Sequence, residues 1–296
     1  MNRIIEIAAP VLAPIFAKNQ DCVLSFRFRK ALGRRRQDPP QSFYDKIFWM
    51  SANSDTSLWT RLADKIEVRK FVAERCGDDI LPELYATYEN AVDIDFDALP
   101  DAFAIKTNNG CASNYLVRSK TNVDLESIRT GLARWLRFPY GELTGQLHYA
   151  KIPPRILAEE LLFQKTNPQE TLIDYKFYCF GGEPRYCFAV SNRRLEAGNA
   201  HAKMMYDLNW KSLEKAFVPG TELAPVEKPS QLAEMIEVSS RLSEGIPFAR
   251  IDLYEVDGDV KFGEMTFMPG LNSGFTEVFQ LKLGNLIYIS ESDMHW

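Results

Sequence analysis

Two carboxylates, Asp252 and Glu264, stand in the run RIDLYEVDGDVKFGEMTFMPG, residues 250–270, in segments that otherwise alternate like paired strands on either side of Asp257-Gly258. Side chains alternate across a strand, so Arg250, Asp252 and Tyr254 share one face of the first segment, and Glu264 and Thr266 share one face of the second. If the two faces coincide, the acids repel unless a cation or a proton separates them. Hard oxygens with room for water and phosphate suit Mg2+ rather than zinc. The spacing makes this a question of turn length. A two-residue Asp257-Gly258 turn pairs Glu264 with Ile251 and sends the acids to opposite faces. A three-residue loop, Val256-Asp257-Gly258, sets Arg250 opposite Glu264 with Asp252 diagonal to it. The shared site therefore calls for an odd loop, and a two-residue turn without a bulge rules it out. The plainer alternative is an Arg250–Glu264 surface ion pair with Asp252 solvated.

Three other groups of residues could do chemistry. The loop KTNNGCASN, residues 106–114, can turn backbone N–H groups toward phosphate oxygens above the point charge of Lys106. It is neither a Walker A sequence nor a GxGxxG fingerprint, and an ordinary polar hairpin loop is the alternative. Cys111 lies within it without a nearby histidine that would make it a nucleophile. Glu159-Glu160 sits in the apolar run ILAEELLF, where a buried acid needs a polar partner such as an adenine amino group or a lysine. Asp174 and Lys176 in DYKFYCF are two apart, hence on one strand face, where they could meet a phosphate or ribose or simply pair with each other.

The elements that must position these residues follow from hydrophobic spacing. Helices are expected over 42–50, 58–76, 124–138 and 230–244. The helix over 124–138 turns Leu125, Ile128, Leu132, Trp135 and Leu136 inward. Strands are expected at 103–106, 115–117 and 156–163. Hairpins are expected over 174–191, turning at Gly181–Pro184, and over 249–267. Strands interleaved with helices and ending in hairpins give an α+β protein with mixed sheets. The 296 residues carry a formal net charge of −5, which argues against a general nucleic-acid binder. Five scattered cysteines without a CxxC pair, and only three histidines, argue against structural zinc and for reduced thiols in a cytoplasmic protein. The apolar N-terminus is broken by Pro10 and Pro14, short of a bilayer span, and reads as a docked or interfacial segment. The basic runs Arg27–Lys30 and Arg34–Arg36 read as solvated helix end and loop, or as a contact with an anionic membrane surface or polymer.

Taken together, SFYDKIFWM (42–50), DKIEVRKFV (64–72), KTNNG (106–110), DYKFYCF (174–180), YDLNW (206–210) and GEMTFMPG (263–270) resemble, in order, the motifs of the TupA-like branch of the ATP-grasp superfamily. The resemblance implies an ATP-grasp fold, two α+β subdomains clasping ATP. The corresponding division is a helical N-terminal region over 1–60 and an ATP-grasp domain over 61–296, with subdomains at about 95–155 and 156–296. It implies Lys106 on the ATP phosphates beneath a loop containing Gly110 and Ser113, and Lys65 or Lys70 as an earlier nucleotide lysine. Glu159, Glu160 and Leu161 would lie at the adenine edge, and Asp174 and Lys176 near the ribose and terminal phosphates. Asp252, Glu264 and Thr266 would hold Mg2+, with threonine where asparagine is usual in the superfamily. Arg250 would approach the reacting group, and the Gly270 backbone the tetrahedral intermediate. Tyr44, where asparagine is common, reads as immaterial. The implied activity is a carboxylate–amine ligation through an acyl phosphate in cell-surface polysaccharide biosynthesis, with a glycan or nucleotide-sugar uronate and an amine or amino acid as substrates. A sugar kinase on the same fold and a glycosyltransferase-associated protein are the alternatives.

Overall fold

A computed structural model of the chain describes residues 12–166, 171–191, 202–271 and 273–289. Its helices are α1 (Gln20–Leu32), α2 (Phe43–Asn53), α3 (Ser57–Ala63), α4 (Glu67–Cys76), α5 (Leu125–Arg137), α6 (Leu232–Ser243) and α7 (Glu277–Gly284), with short helical turns at Tyr140–Thr144, Leu147–Ala150 and Glu214–Ala216. Its strands are β1 (Leu84–Tyr88), β2 (Phe103–Thr107), β3 (Asn114–Val117), β4 (Ile156–Glu159), β5 (Asp174–Phe180), β6 (Glu183–Ser191), β7 (Ala202–Asp207), β8 (Phe248–Val256) and β9 (Asp259–Thr266). The chain divides into two compact units. The first holds the described residues up to Arg27 with Asp55–Phe71 and Pro82–Leu161. The second holds Phe28–Ser54, Val72–Leu81 and the residues from Leu162 on. Among the described residues no helix is long and apolar enough to cross a membrane. The segment 1–11 of the apolar N-terminus lies outside the described residues.

The first unit carries a four-stranded sheet in the order β1-β4-β2-β3. Asp124 caps α5, accepting from the backbone N–H groups of Glu126 and Ser127. Ile128 and Leu132 of that helix then pack with Phe103, Ile105, Val117, Ile156 and Ala158. Those strand residues occupy one face. Their neighbours Ala104, Lys106, Leu157 and Glu159 are left on the other, where Ala104 stands opposite Glu159 and Lys106 opposite Leu157. The helix expected over 58–76 is two. Asp64, extended at the end of α3, accepts from the N–H groups of Ile66 and Glu67 and restarts the chain as α4. The strand expected over 156–163 ends at Glu159, and β1 escaped the periodicity.

The second unit carries a five-stranded sheet in the order β7-β6-β5-β8-β9. Every ladder between named strands in both sheets is antiparallel, not mixed as expected. Helix α6 covers the face bearing Phe177, Cys179 and Ile251, with Cys179 Sγ 3.8 Å from the Ser239 carbonyl. The opposite face bears Tyr178, Phe180 and Phe248 at one end, beneath Phe43 of α2, whose ring lies 4.9 Å from that of Phe248. Each such fully buried aromatic is worth about 2–3 kcal/mol of apolar burial. Further along this same face stand the charged residues.

Candidate functional site

Asp252 and Glu264 do share a face, but not by the expected route. The turn is the two-residue Asp257-Gly258, with φ of 51° and 92°, both left-handed as a tight hairpin turn requires. From Val256↔Asp259 to Leu253↔Phe262 the register is the one that would separate the acids. Gly263 is then left out as a β-bulge, and beyond it Asp252 pairs with Glu264 and Arg250 with Thr266. A side chain at Gly263 would place its Cβ 3.0 Å from the Asp252 carbonyl and 2.9 Å from the Tyr254 ring, so the bulge needs glycine. The expected three-residue loop is thus replaced by a short turn and a glycine bulge. The sequence does carry a trace of it: the apolar positions pass from Val260 and Phe262 to Met265 and Phe267, a change of phase at Gly263 that turn length alone leaves out.

Asp252 is not solvated. It is 1% exposed and lies directly across from Lys176 on β5. Lys176 Nζ is 2.5 Å from Asp252 Oδ2 and 2.9 Å from Asp174 Oδ2. Arg250 donates through Nε and Nη2 to the two Asp252 oxygens at 2.6 Å each. The same Nη2 reaches Thr266 Oγ1 at 2.9 Å and Glu264 Oε1 at 3.2 Å. Burial works to raise the Asp252 pKa, but the charges of Arg250 and then Lys176 outweigh it and hold the carboxyl below its ordinary value. Burial likewise opposes the charge on Arg250, and Asp252 and Glu264 keep it well above its usual range. Only Glu264 opens to solvent, its side chain 35% exposed.

Three oxygens, from two carboxylates and a hydroxyl, therefore converge on one positive group, the terminal nitrogen of Arg250. That donor set fits a hard divalent cation that completes its shell with phosphate oxygens and water, as Mg2+ does. Among the described residues no cluster of three His, Cys, Asp or Glu side chains could form an all-protein cage.

The Pro269-Gly270 segment is held from α2. The Tyr44 hydroxyl lies 2.9 Å from the Gly270 carbonyl oxygen and 3.0 Å from Ser273 Oγ, itself 3.1 Å from the same carbonyl. Burial pushes the hydroxyl of Tyr178, on the same face, up to about 12. Tyr44 is therefore not immaterial: it ties the loop to the charged face. Lys203 on β7 adds a further tie, its ammonium 2.8 Å from the Ser273 carbonyl. Tyr44 and Gly263 were legible only as motif residues, and Lys203 gave no signal.

In the first unit, Lys106 pairs with Glu159, which Arg69 also reaches at 3.3 Å. Glu159 is 6% exposed and satisfied by two cations of the protein itself. Arg69 is the arginine of DKIEVRKFV, which the sequence reading passed over for its lysine neighbours. Lys65 donates to the Gly110 carbonyl at 2.6 Å, whereas Lys70 is exposed on α4. Within the loop, Thr107 bonds Ser113 through backbone and hydroxyl, so Ser113 braces the loop. Asn108 clamps it to the neighbouring segment, taking the Arg155 N–H at 2.7 Å and giving to the Pro153 carbonyl at 3.0 Å. Cys111 is exposed. The Glu160 backbone N–H donates to Glu83 at 2.8 Å, and Leu161 is buried. Two of the basic N-terminal residues are used internally. Arg34 caps α2 through Asp45 and Ser42, and Arg27 donates to the Thr144 carbonyl. Arg29, Lys30 and Arg35 remain exposed.

The TupA-like ATP-grasp family model matches residues 45–288. No curated protein matches the sequence significantly. Among solved structures, the D-alanine–D-alanine ligase of Bacillus anthracis complexed with ATP is similar at 15% identity and a TM-score of 0.49, over 79% of this chain and 67% of that one. The ATP-grasp ligase PsnB complexed with its minimal precursor is similar at 11% identity and 0.42, over 79% and 63%. Phosphoribosylamine–glycine ligase of Thermotoga maritima is similar at 13% and 0.39, over 70% and 48%. These are distant likenesses.

Proposed function

The chain belongs to the TupA-like ATP-grasp family, and on that premise we propose that it is an ATP-dependent carboxylate–amine ligase. Its carboxylate is a sugar uronate or an amino acid, its product is an amide formed through an acyl phosphate, and its setting is cell-surface polysaccharide biosynthesis. The observation that supports this best is the buried charged face of the second unit. Arg250 and Lys176 are fixed against Asp252, Thr266 bonds Arg250, and Glu264 opens to solvent beside them.

Such a reaction needs charge neutralised on a triphosphate and little covalent help from the protein. Lys176 lies between Asp174 and Asp252 and supplies a positive charge for the terminal phosphates. Lys106, oriented by Glu159, supplies another to the nucleotide, and the Asn108-clamped loop offers backbone N–H groups beside it. Glu160 and Leu161, just past β4, would meet the adenine, and Lys65, which touches the loop at the Gly110 carbonyl, would be the earlier nucleotide lysine. Asp252, Glu264 and Thr266 would hold Mg2+, which when bound would screen the triphosphate during transfer. Arg250 would orient the acyl group, and the backbone of the Gly270 segment, which Tyr44 holds, would approach the tetrahedral intermediate. All five cysteines are free, in keeping with a cytoplasmic protein.

The test is a screen of amino acids against free, glycan-linked and nucleotide-linked uronates, read by ADP release and product mass. Hydroxylamine included in the assay should yield a hydroxamate. A stable phosphosugar with no hydroxamate would overturn the ligase reading in favour of a kinase, and no Mg·ATP binding by calorimetry would overturn both.

A further inference from the structure

In the second unit, a cavity of about 480 Å3 lies between the turn Glu214–Ala216 and α7. This volume is within the range of small-molecule sites. None of its lining residues belongs to the Asp252 network.

Its walls are joined by backbone rather than by side-chain contact alone. The Thr276 N–H donates to the Ala216 carbonyl at 2.8 Å, Phe217 and Phe275 form an antiparallel bridge, and the Val218 N–H donates to Gly274 at 2.8 Å. On the other side, Leu213 N–H donates to Met205 at 2.8 Å, anchoring the turn to β7. The cavity is therefore a fixed feature of the unit. Phe279 and Leu213 give it an apolar lining, and Val278 beside them is 79% exposed.

Three lysines, Lys211, Lys215 and Lys282, line this one cavity together with one acid, Glu214. None of the three forms an ion pair with a described residue, although the Lys282 ammonium lies 5.3 Å from the centre of the Tyr186 ring, a cation–π contact. In a chain of formal net charge −5, gathering unpaired cations around a concave surface focuses a positive potential there. Three point charges exceed what a monoanionic carboxylate would need and suit a dianionic phosphate, for which lysine is a common partner. The apolar lining calls for a ligand with more than the anion.

We propose that the cavity formed by Lys211, Lys215, Lys282, Leu213 and Phe279 binds a phosphomonoester whose organic part is apolar. Such a ligand sets its phosphate among the three ammonium groups and its body against Phe279 and Val278. The site is independent of the ligase reading and stands or falls apart from it.

The test is titration of the full chain with phenyl phosphate, inorganic phosphate and benzoate at pH 8, in the presence of saturating Mg·ADP, by calorimetry or chemical-shift mapping. Phenyl phosphate should bind saturably with a dissociation constant below about 1 mM, more tightly than either of the others. Its binding should weaken at higher salt and as pH falls through about 6, where the dianion is lost. The Lys211→Ala/Lys215→Ala/Lys282→Ala variant removes only exposed side chains, and its melting temperature reports any loss of fold. It should bind at least tenfold more weakly, while the exposed Lys228→Ala control binds normally. Benzoate binding as tightly as phenyl phosphate would overturn the proposal. So would no saturable binding, or equal binding to the triple variant.

Discussion

Glu264 stands directly across the ladder from Asp252, although the turn joining their strands has the length that would set them on opposite faces. The discrepancy is absorbed by Gly263, and the Arg250 guanidinium then bridges both acids. The two acids differ in what they hold, and their variants should differ accordingly.

Glu264→Gln should lower ATP-dependent turnover by about two to three orders of magnitude, the scale of losing one electrostatic stabiliser. Its side chain is 35% exposed, so the stability cost should stay under about 1 kcal/mol. Asp252→Asn should also abolish turnover but destabilise by about 3–5 kcal/mol, because it strips a partner from two buried cations. Thermal melts with turnover separate the two; unimpaired turnover in Glu264→Gln would remove it from the site.

Gly263→Ala should cost about 1–3 kcal/mol and lower turnover as well, since the new methyl meets the Asp252 carbonyl and the Tyr254 ring. Relief of that clash turns either the bulge or the Asp252 backbone. A variant with wild-type stability and activity would show that the bulge accommodates a side chain.

How far the site was legible follows from these residues. Asp252, Lys176 and Asp174 were visible because strand alternation is a local property, and they lie together on one face. The bulge left a fainter mark, a glycine inside the strand at which the apolar positions shift from Val260 and Phe262 to Met265 and Phe267, and an argument from turn length alone does not use it. Splitting the helix expected over 58–76 required Asp64 to cap its successor, a side-chain event inside a continuous periodic pattern. Strands β1 and β7 were missed for another reason: β1 is half-exposed and carries no clean alternation. Arg69 shows how a motif can be matched and its working residue overlooked, since only the fold brings it to Glu159.

Tyr44→Phe removes the hydroxyl that holds the Gly270 carbonyl and Ser273. It should cost about 1–2 kcal/mol and lower turnover while leaving Mg·ATP affinity unchanged by calorimetry. If turnover and melting temperature both match wild type, the Lys203 tie to Ser273 suffices to hold the loop.

Stability of the first unit should fall in mild acid because of His148. Burial lowers its pKa to about 3 from an ordinary 6.5. Between those values the unfolded chain takes up a proton that the native state refuses, so the penalty is absent above pH 6.5 and grows as pH falls. The slope is about 1.4 kcal/mol per pH unit within the window, roughly 5 kcal/mol in all. His148→Phe should flatten the dependence of stability on pH between 6.5 and 4.5, measured by denaturant titration. An unchanged slope would show that other groups carry it.

The doubly bonded Arg250–Asp252 contact, at 2.6 Å through each nitrogen, also bears on the order in which ligands arrive. A carboxylate built into the chain competes for the guanidinium at an effective concentration that a dissolved acid cannot match. A lone acceptor carboxylate should therefore bind poorly to the free protein. It should bind well only after the internal acid has been given another positive partner, which makes the sequence nucleotide first, acceptor second.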